Sequence, residues 1–118
     1  MNERQLTGLL GLSYKAGSLV AGADKALSEV RQGKAALVLL DAGTAVNTRK
    51  KLADSCAHRG IRILEVPQGV LGQAIGRPGV NAAAALPGGL TEKIQTMMTG
   101  GQAAPDTEKN LEGTGLNG

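Results

Sequence analysis

Three consecutive cations, Arg49, Lys50 and Lys51, are the feature of this sequence that is most suggestive of chemistry. They follow Asn47 and Thr48, a pair that could cap a helix, and so fall in the first turn of that predicted helix. Cations at this helix end cost on the order of 0.3–1 kcal/mol each, because the exposed amides already carry partial positive charge. A phosphate held by the amides and the side chains together would reverse this cost. A solvated run of surface charge explains the same spacing, so both interpretations stay open.

Two further segments combine small residues with predicted helix starts. Residues 19–25 (LVAGADK) predict a strand end, a turn at Gly22 and the start of a helix, where a ligand could approach the backbone closely. Residues 66–72 (VPQGVLG) place the apolar Val70 in a loop of Pro and Gly. Each segment is also compatible with an ordinary connection between elements.

The sequence lacks the side chains that catalysis or metal binding requires. Its single cysteine, Cys56, and single histidine, His58, lie about 200° apart around a predicted helix, so they point away from each other. We expect Cys56 in the core and His58 on the surface, where Asp54 could pair with it. The pair Gly33-Lys34 lacks the spacing of a phosphate-binding loop. We therefore expect no catalytic residue, no metal and no cofactor.

Composition indicates one small basic domain. The 118 residues carry a formal net charge of +3, which favours polyanions as partners. With no Phe, no Trp and one Tyr, the chain cannot build the aromatic platform on which single-stranded bases stack. Residues 1–98 hold 12 Lys/Arg against 7 Asp/Glu, whereas 99–118 is acidic and glycine-rich. We expect residues 1–98 to fold as one domain and 99–118 to be a flexible tail.

Hydrophobic spacing alternates between helical and strand patterns, which indicates an α/β fold. Helices are predicted at 3–16, 24–32, from about 44 or 47 to 58, at 70–75 and at 89–98, and strands at 19–20, 35–40, 61–66 and 80–86. No apolar run reaches the roughly 18 residues of a membrane span, and no secretory leader is recognisable. We expect a cytoplasmic protein without a membrane partner.

Four segments in this order resemble the kink-turn RNA-binding ribosomal-protein family, and more narrowly its bacterial YlxQ-type branch. They are residues 15–22 (KAGSLVAG), 33–41 (GKAALVLLD), 47–51 (NTRKK) and 71–76 (LGQAIG). The resemblance covers about residues 3–98. It implies a three-layer α/β/α sandwich around a four-stranded mixed sheet, an RNA-binding surface made of the three segments above, and no catalytic activity.

The resemblance also assigns site residues. Gly22 matches the turn glycine that approaches the RNA, and Asp24 and Lys25 stand where strong binders have an Asn-Glu pair that reads sheared G·A pairs. Ser28 replaces a lysine, and residues 68–70 match the loop that packs against the flipped-out nucleotide. The implied RNA-binding residues are Gly22, Asp24, Lys25, Ser28, Asn47, Lys50, Lys51, Arg59, Gln68, Gly69 and Val70.

These observations predict a non-catalytic protein that binds structured RNA, kink-turn-like or ribosomal, in association with the ribosome or translation. Ribosomal or translation proteins are possible further partners. A second hypothesis is a protein-interaction module on the same fold, because Lys25 can only donate hydrogen bonds where a Glu accepts them. A third is the substrate-binding part of an RNA-modifying enzyme, since similar domains resemble those fused to RNA methyltransferases.

Overall fold

The computed structural model of the protein describes residues 2–100, in which four strands alternate with five helices. The helices are α1 (Glu3–Lys15), α2 (Ala23–Arg31), α3 (Val46–Arg59), α4 (Val70–Ile75) and α5 (Gly89–Met98), and the strands are β1 (Leu19–Ala21), β2 (Leu37–Asp41), β3 (Arg62–Val66) and β4 (Ala82–Ala85). The predicted tail falls outside the described residues from position 101 onward, while Thr99 and Gly100 continue from the end of α5.

The strands form one mixed sheet in the order β1-β4-β2-β3. Strand β4 runs antiparallel to both β1 and β2, whereas β2 and β3 are parallel. Strands β1, β2 and β3 therefore all end at the same edge of the sheet, which we call the carboxyl edge. It carries the connections at residues 22, 42–45 and 67–69, and the segment 76–81 that leads into β4.

Alternating side chains of the sheet pack into two separate apolar cores, one on each face. Leu37 and Leu39 pack on the face covered by α1, α4 and α5, and Val38 and Leu40 pack on the face covered by α2 and α3. This period of two is the expected pattern for a strand buried on both sides. The predicted α/β/α sandwich with a four-stranded mixed sheet is thus confirmed.

Strand β4 consists of four alanines, each of them fully buried. Alanine is a weak strand former, but hydrogen bonding to β1 and β2 on either side holds the segment extended. The strand is shorter than the predicted 80–86, and β2 likewise starts at Leu37 rather than 35. Within residues 2–100, no helix is long and apolar enough to cross a membrane.

Cys56 lies in the core between the sheet and α3, with 1% of its surface exposed, as the sequence predicts. Burial raises the pKa of its thiol above the ordinary value of 9.0, because the thiolate is poorly solvated there. We expect alkylation of native protein at pH 8 to be at least about tenfold slower than alkylation in denaturant.

The same shift predicts how stability depends on pH. The unfolded chain releases the Cys56 proton more readily than the folded chain does, so the free energy of unfolding should fall as pH rises above about 9. A Cys56→Ala variant should lose this part of the pH dependence, measured by urea unfolding at pH 7 and pH 10. An identical dependence in the variant would contradict the assignment.

Candidate functional site

Helices α2, α3 and α4 all begin at the carboxyl edge, and none of them has a side-chain cap. Helix α2 starts after Gly22, and α3 starts after Ala45; neither residue supplies a capping hydrogen bond. Gly22 has a φ of 112°, a conformation that only glycine adopts readily, and its amide donates to the Ala82 carbonyl at 2.8 Å. The partly positive ends of α2 and α3 thus face the same side of the molecule.

The prediction that Asn47 and Thr48 cap α3 is wrong. The helix begins at Val46, one residue before Asn47, and neither Asn47 nor Thr48 caps it. Lys50 and Lys51 consequently lie in the second turn rather than the first. Their charges therefore oppose the helix dipole less than the sequence suggested, because that effect falls off beyond the first turn.

Arg49 separates from the two lysines in the structure. Its Nη1 lies 2.8 Å from Glu65 Oε2, and its Nη2 donates to the carbonyls of Asp41 and Ala42, each at 3.3 Å. This guanidinium ties α3 to the ends of β2 and β3. Lys50 and Lys51 are exposed and, among residues 2–100, have neither an ion pair nor a side-chain hydrogen bond, so their charges are available to a ligand.

A groove between α2 and α3 brings Lys51 together with Asp24 and Ser28. The groove is open, encloses about 480 Å³, and is also lined by Leu27, Arg31 and Gln32. The Ser28 hydroxyl already accepts a hydrogen bond from Gln32 Nε2 at 2.7 Å. Lys25 is exposed on the first turn of α2, close to Gly22 in the chain.

A second groove of about 400 Å³ joins Gly22 to a segment that the sequence analysis did not assign to the site. It is lined by Gly22, Ala23 and residues 77–81, including the exposed Arg77 and the half-buried Asn81. The antiparallel pairing of β4 with β1 creates this contact. The only sequence signal was a cation in the Gly/Pro loop at 76–79, which is a weak one.

The loop at 68–70 lies at the same edge, beside the β2–α3 connection. Gly69 has a φ of 84° and precedes α4, and the Gln68 side chain packs over Gly43. Val70, by contrast, is 2% exposed and belongs to the core. Gln68 and Gly69 are thus the members of this loop that a ligand can reach, while Val70 anchors it.

Arg59 lies away from the other candidate residues. It is the last residue of α3, about 12 Å along the helix from Lys51 at 1.5 Å per residue. There it lines a different groove with Arg31, Asp54 and the exposed His58. Within residues 2–100, no three His, Cys, Asp or Glu side chains are grouped as metal ligands are.

Comparison with known proteins identifies relatives over most of the described chain. Residues 4–94 match the model of the ribosomal protein L7Ae/L30e/S12e/Gadd45 family. The chain is 33% identical over 91 residues to the RNA-binding protein YlxQ of Bacillus subtilis (strain 168), covering 76% of this chain and 91% of that protein. The RNA-binding protein YlxQ of Enterococcus faecium is 28% identical over 78 residues, covering 65% and 76%.

Solved structures that share the fold include proteins from Bacillus halodurans and Giardia lamblia. A protein of unknown function from Bacillus halodurans superimposes with a TM-score of 0.74 at 28% identity, covering 80% of this chain and 96% of that one. The Giardia lamblia 15.5kD RNA binding protein superimposes with a TM-score of 0.63 at 22% identity, covering 80% and 82%. The second match bears on the fold alone, since its sequence identity is low.

Proposed function

Because this chain belongs to the ribosomal protein L7Ae/L30e/S12e/Gadd45 family, and to its YlxQ branch, we propose that it binds structured RNA at the carboxyl edge of its sheet. The role is non-catalytic and cytoplasmic, in association with the ribosome or translation. The relatives named above as RNA-binding proteins support this proposal.

One observation carries the proposal: exposed cations lie within two turns of the starts of α2 and α3, or beside Gly22, at one edge. Lys50 and Lys51 stand on α3, Lys25 on α2, and Arg77 faces Gly22 across the second groove. Helix amides and side-chain cations favour the same ligand, an anion. A chain of phosphates can meet several of these groups at once, which a single small anion cannot.

The shape of the edge favours a bent RNA over a single strand. The one tyrosine, Tyr14, packs against the core on the α1 side, so the edge offers no ring on which bases could stack. Gly22 lets the RNA backbone approach closely, and the exposed Gln68–Gly69 turn provides a surface for an unstacked base. We therefore propose a kink-turn-like element as the preferred target.

A comparison of RNAs tests the binding proposal. The protein is titrated with a folded kink-turn RNA and with an unstructured RNA of the same length, at about 50 and 200 mM salt. The folded RNA should bind more tightly at both salt concentrations. Equal affinity for the two RNAs would show that shape plays no part.

Lys25 is the candidate for base recognition. Its ammonium can donate to guanine O6 or N7, and one such contact discriminates between bases by about 1–3 kcal/mol. We expect Lys25→Ala to reduce the preference for an intact kink-turn over one with replaced G·A pairs by about tenfold. The control Lys93→Ala, on α5 in the opposite layer, should leave this preference unchanged. An unaltered ratio in Lys25→Ala would exclude Lys25 from base recognition.

A protein-interaction role is the second candidate, and an apolar groove favours it. This groove lies along α1 and α5, encloses about 990 Å³, and is lined by Leu9, Met97 and their neighbours. Specific binding of a protein partner, with RNA binding that vanishes at moderate salt, would favour this role over RNA recognition.

A further inference from the structure

The Asp41 carboxylate joins two loops of the carboxyl edge that are far apart in sequence. Asp41 is the last residue of β2 and is 6% exposed. Its Oδ1 accepts a hydrogen bond from the Gly43 amide at 2.6 Å, and its Oδ2 accepts one from the Gly69 amide at 2.8 Å. One side chain thus satisfies one amide in the β2–α3 connection and one in the β3–α4 loop.

The backbone of Asp41 is also fully engaged. Its amide donates to the Asn81 carbonyl at 2.8 Å, and its own carbonyl accepts from the Thr44 hydroxyl at 2.6 Å and from Arg49 Nη2. These bonds fix Asp41 relative to β4 and α3. The carboxylate is therefore a fixed point against which the Gly69 loop is held.

The position of Gln68 depends on this arrangement. A Cβ placed on Gly43 would lie 3.0 Å from both Cδ and Nε2 of Gln68, so the Gln68 amide sits directly over Gly43. The Gln68 side chain makes no hydrogen bond of its own within residues 2–100, so its place over Gly43 follows the backbone of the turn. The bond from the Gly69 amide to Asp41 ties that backbone to the β2–α3 connection, while the Val70 amide bonds to the Pro67 carbonyl within the turn.

We propose that Asp41 is a positioning residue for RNA recognition: its two carboxylate oxygens hold the Gln68–Gly69 turn against the β2–α3 connection. The inference rests on the proposed function, because it assumes that this turn contacts RNA. Asparagine cannot replace Asp41, since it offers one acceptor oxygen and would turn an NH₂ group toward an amide that also donates.

Hydrogen exchange of Asp41→Asn tests the positioning. The amide of Gly69 or of Gly43, whichever faces the new NH₂ group, should exchange at least about tenfold faster than in the wild type. The core amides of Leu39 and Leu52 should keep their protection, which separates a local release from global destabilisation. Unchanged protection at both glycines would overturn the proposal.

Binding of kink-turn RNA tests whether Asp41 contributes to RNA recognition. Asp41→Asn should lower the affinity by about tenfold, although removing a negative charge by itself favours RNA. The matched control is Asp54→Asn on α3, which removes the same charge from an exposed residue with no ion pair or side-chain hydrogen bond in the described chain. Its affinity should stay the same or rise. Equal affinities for the two variants would overturn the link to recognition.

The two readouts separate failure of this inference from failure of the proposed function. If the wild type does not bind the RNA, the proposed function fails, and Asp41 loses its role in recognition even where exchange shows that it holds the loop. If Asp41→Asn does not fold, hydrogen exchange of the wild-type protein tests the positioning instead. In the wild type the Gly69 amide, although in an exposed turn, should exchange at least about tenfold more slowly than an unstructured amide. Exchange at the unstructured rate would overturn the inference.

Discussion

Replacing Lys50 and Lys51 together with alanine is expected to weaken binding of structured RNA by about a hundredfold at 50 mM salt. Both ammonium groups are exposed and unpaired within residues 2–100, in the second turn of α3. A hydrogen bond between charged groups contributes about 1.5 kcal/mol or more, so the loss of two amounts to roughly two orders of magnitude. The plot of log affinity against log salt should also flatten by about 1.4–1.8.

The control removes two cations from the other side of the molecule. Lys15 ends α1 and Lys93 lies on α5, so Lys15→Ala with Lys93→Ala changes the net charge equally without touching the α2–α3 layer. Titration of both double variants with RNA, followed by fluorescence anisotropy, tests whether the carboxyl edge is the binding surface. Equal losses in the two would mean that only net charge attracts RNA, and that the carboxyl edge is not the binding surface.

Gly72→Ala is expected to lower the free energy of unfolding by about 2 kcal/mol. Gly72 is buried in α4, and a Cβ there would lie 3.0 Å from the Arg77 oxygen and from Cα and the oxygen of Pro78. All three are backbone atoms, so none can swing aside as a side chain would. The segment that must move also lines the groove beside Gly22, and RNA affinity should fall with stability.

Gly8→Ala provides the matched comparison for stability. Gly8 is an exposed residue of α1, and a Cβ there meets no atom within 4 Å. Alanine should therefore raise the free energy of unfolding by about 0.5–1 kcal/mol through its helix propensity. Urea unfolding of the two variants tests both the expected decrease and the expected increase in the free energy of unfolding. A Gly72→Ala protein as stable as the wild type would contradict the close packing of α4 against residues 77–78.

The fold could be predicted from the sequence because its apolar runs and glycine boundaries agree with its tertiary structure. Residues 37–40 are apolar throughout, which is typical of a strand covered on both faces. The length of β4 was harder to predict, because four alanines have no strand preference of their own and depend on β1 and β2. The cap of α3 could not be predicted, because the capping residue, Ala45, makes no side-chain hydrogen bond.

The site could be predicted only in part, because its geometry depends on contacts between distant segments. In the sequence Arg49 is equivalent to its two neighbours, but in the structure Glu65, 16 positions away on β3, pairs with it. Arg77 lines a groove with Gly22 because β4 pairs with β1. Asp41 accepts a hydrogen bond from Gly69, 28 positions away in the chain. Local spacing contains none of these relations.

The most direct test of RNA recognition at the carboxyl edge is fluorescence anisotropy with two RNAs, a kink-turn and the same RNA with its two G·A pairs replaced. Each is titrated at about 50 and 200 mM salt. We expect tight binding of the intact kink-turn and much weaker binding of the altered RNA at both salt concentrations. Equal affinities that fall steeply with salt would contradict kink-turn recognition and would indicate a general electrostatic RNA binder.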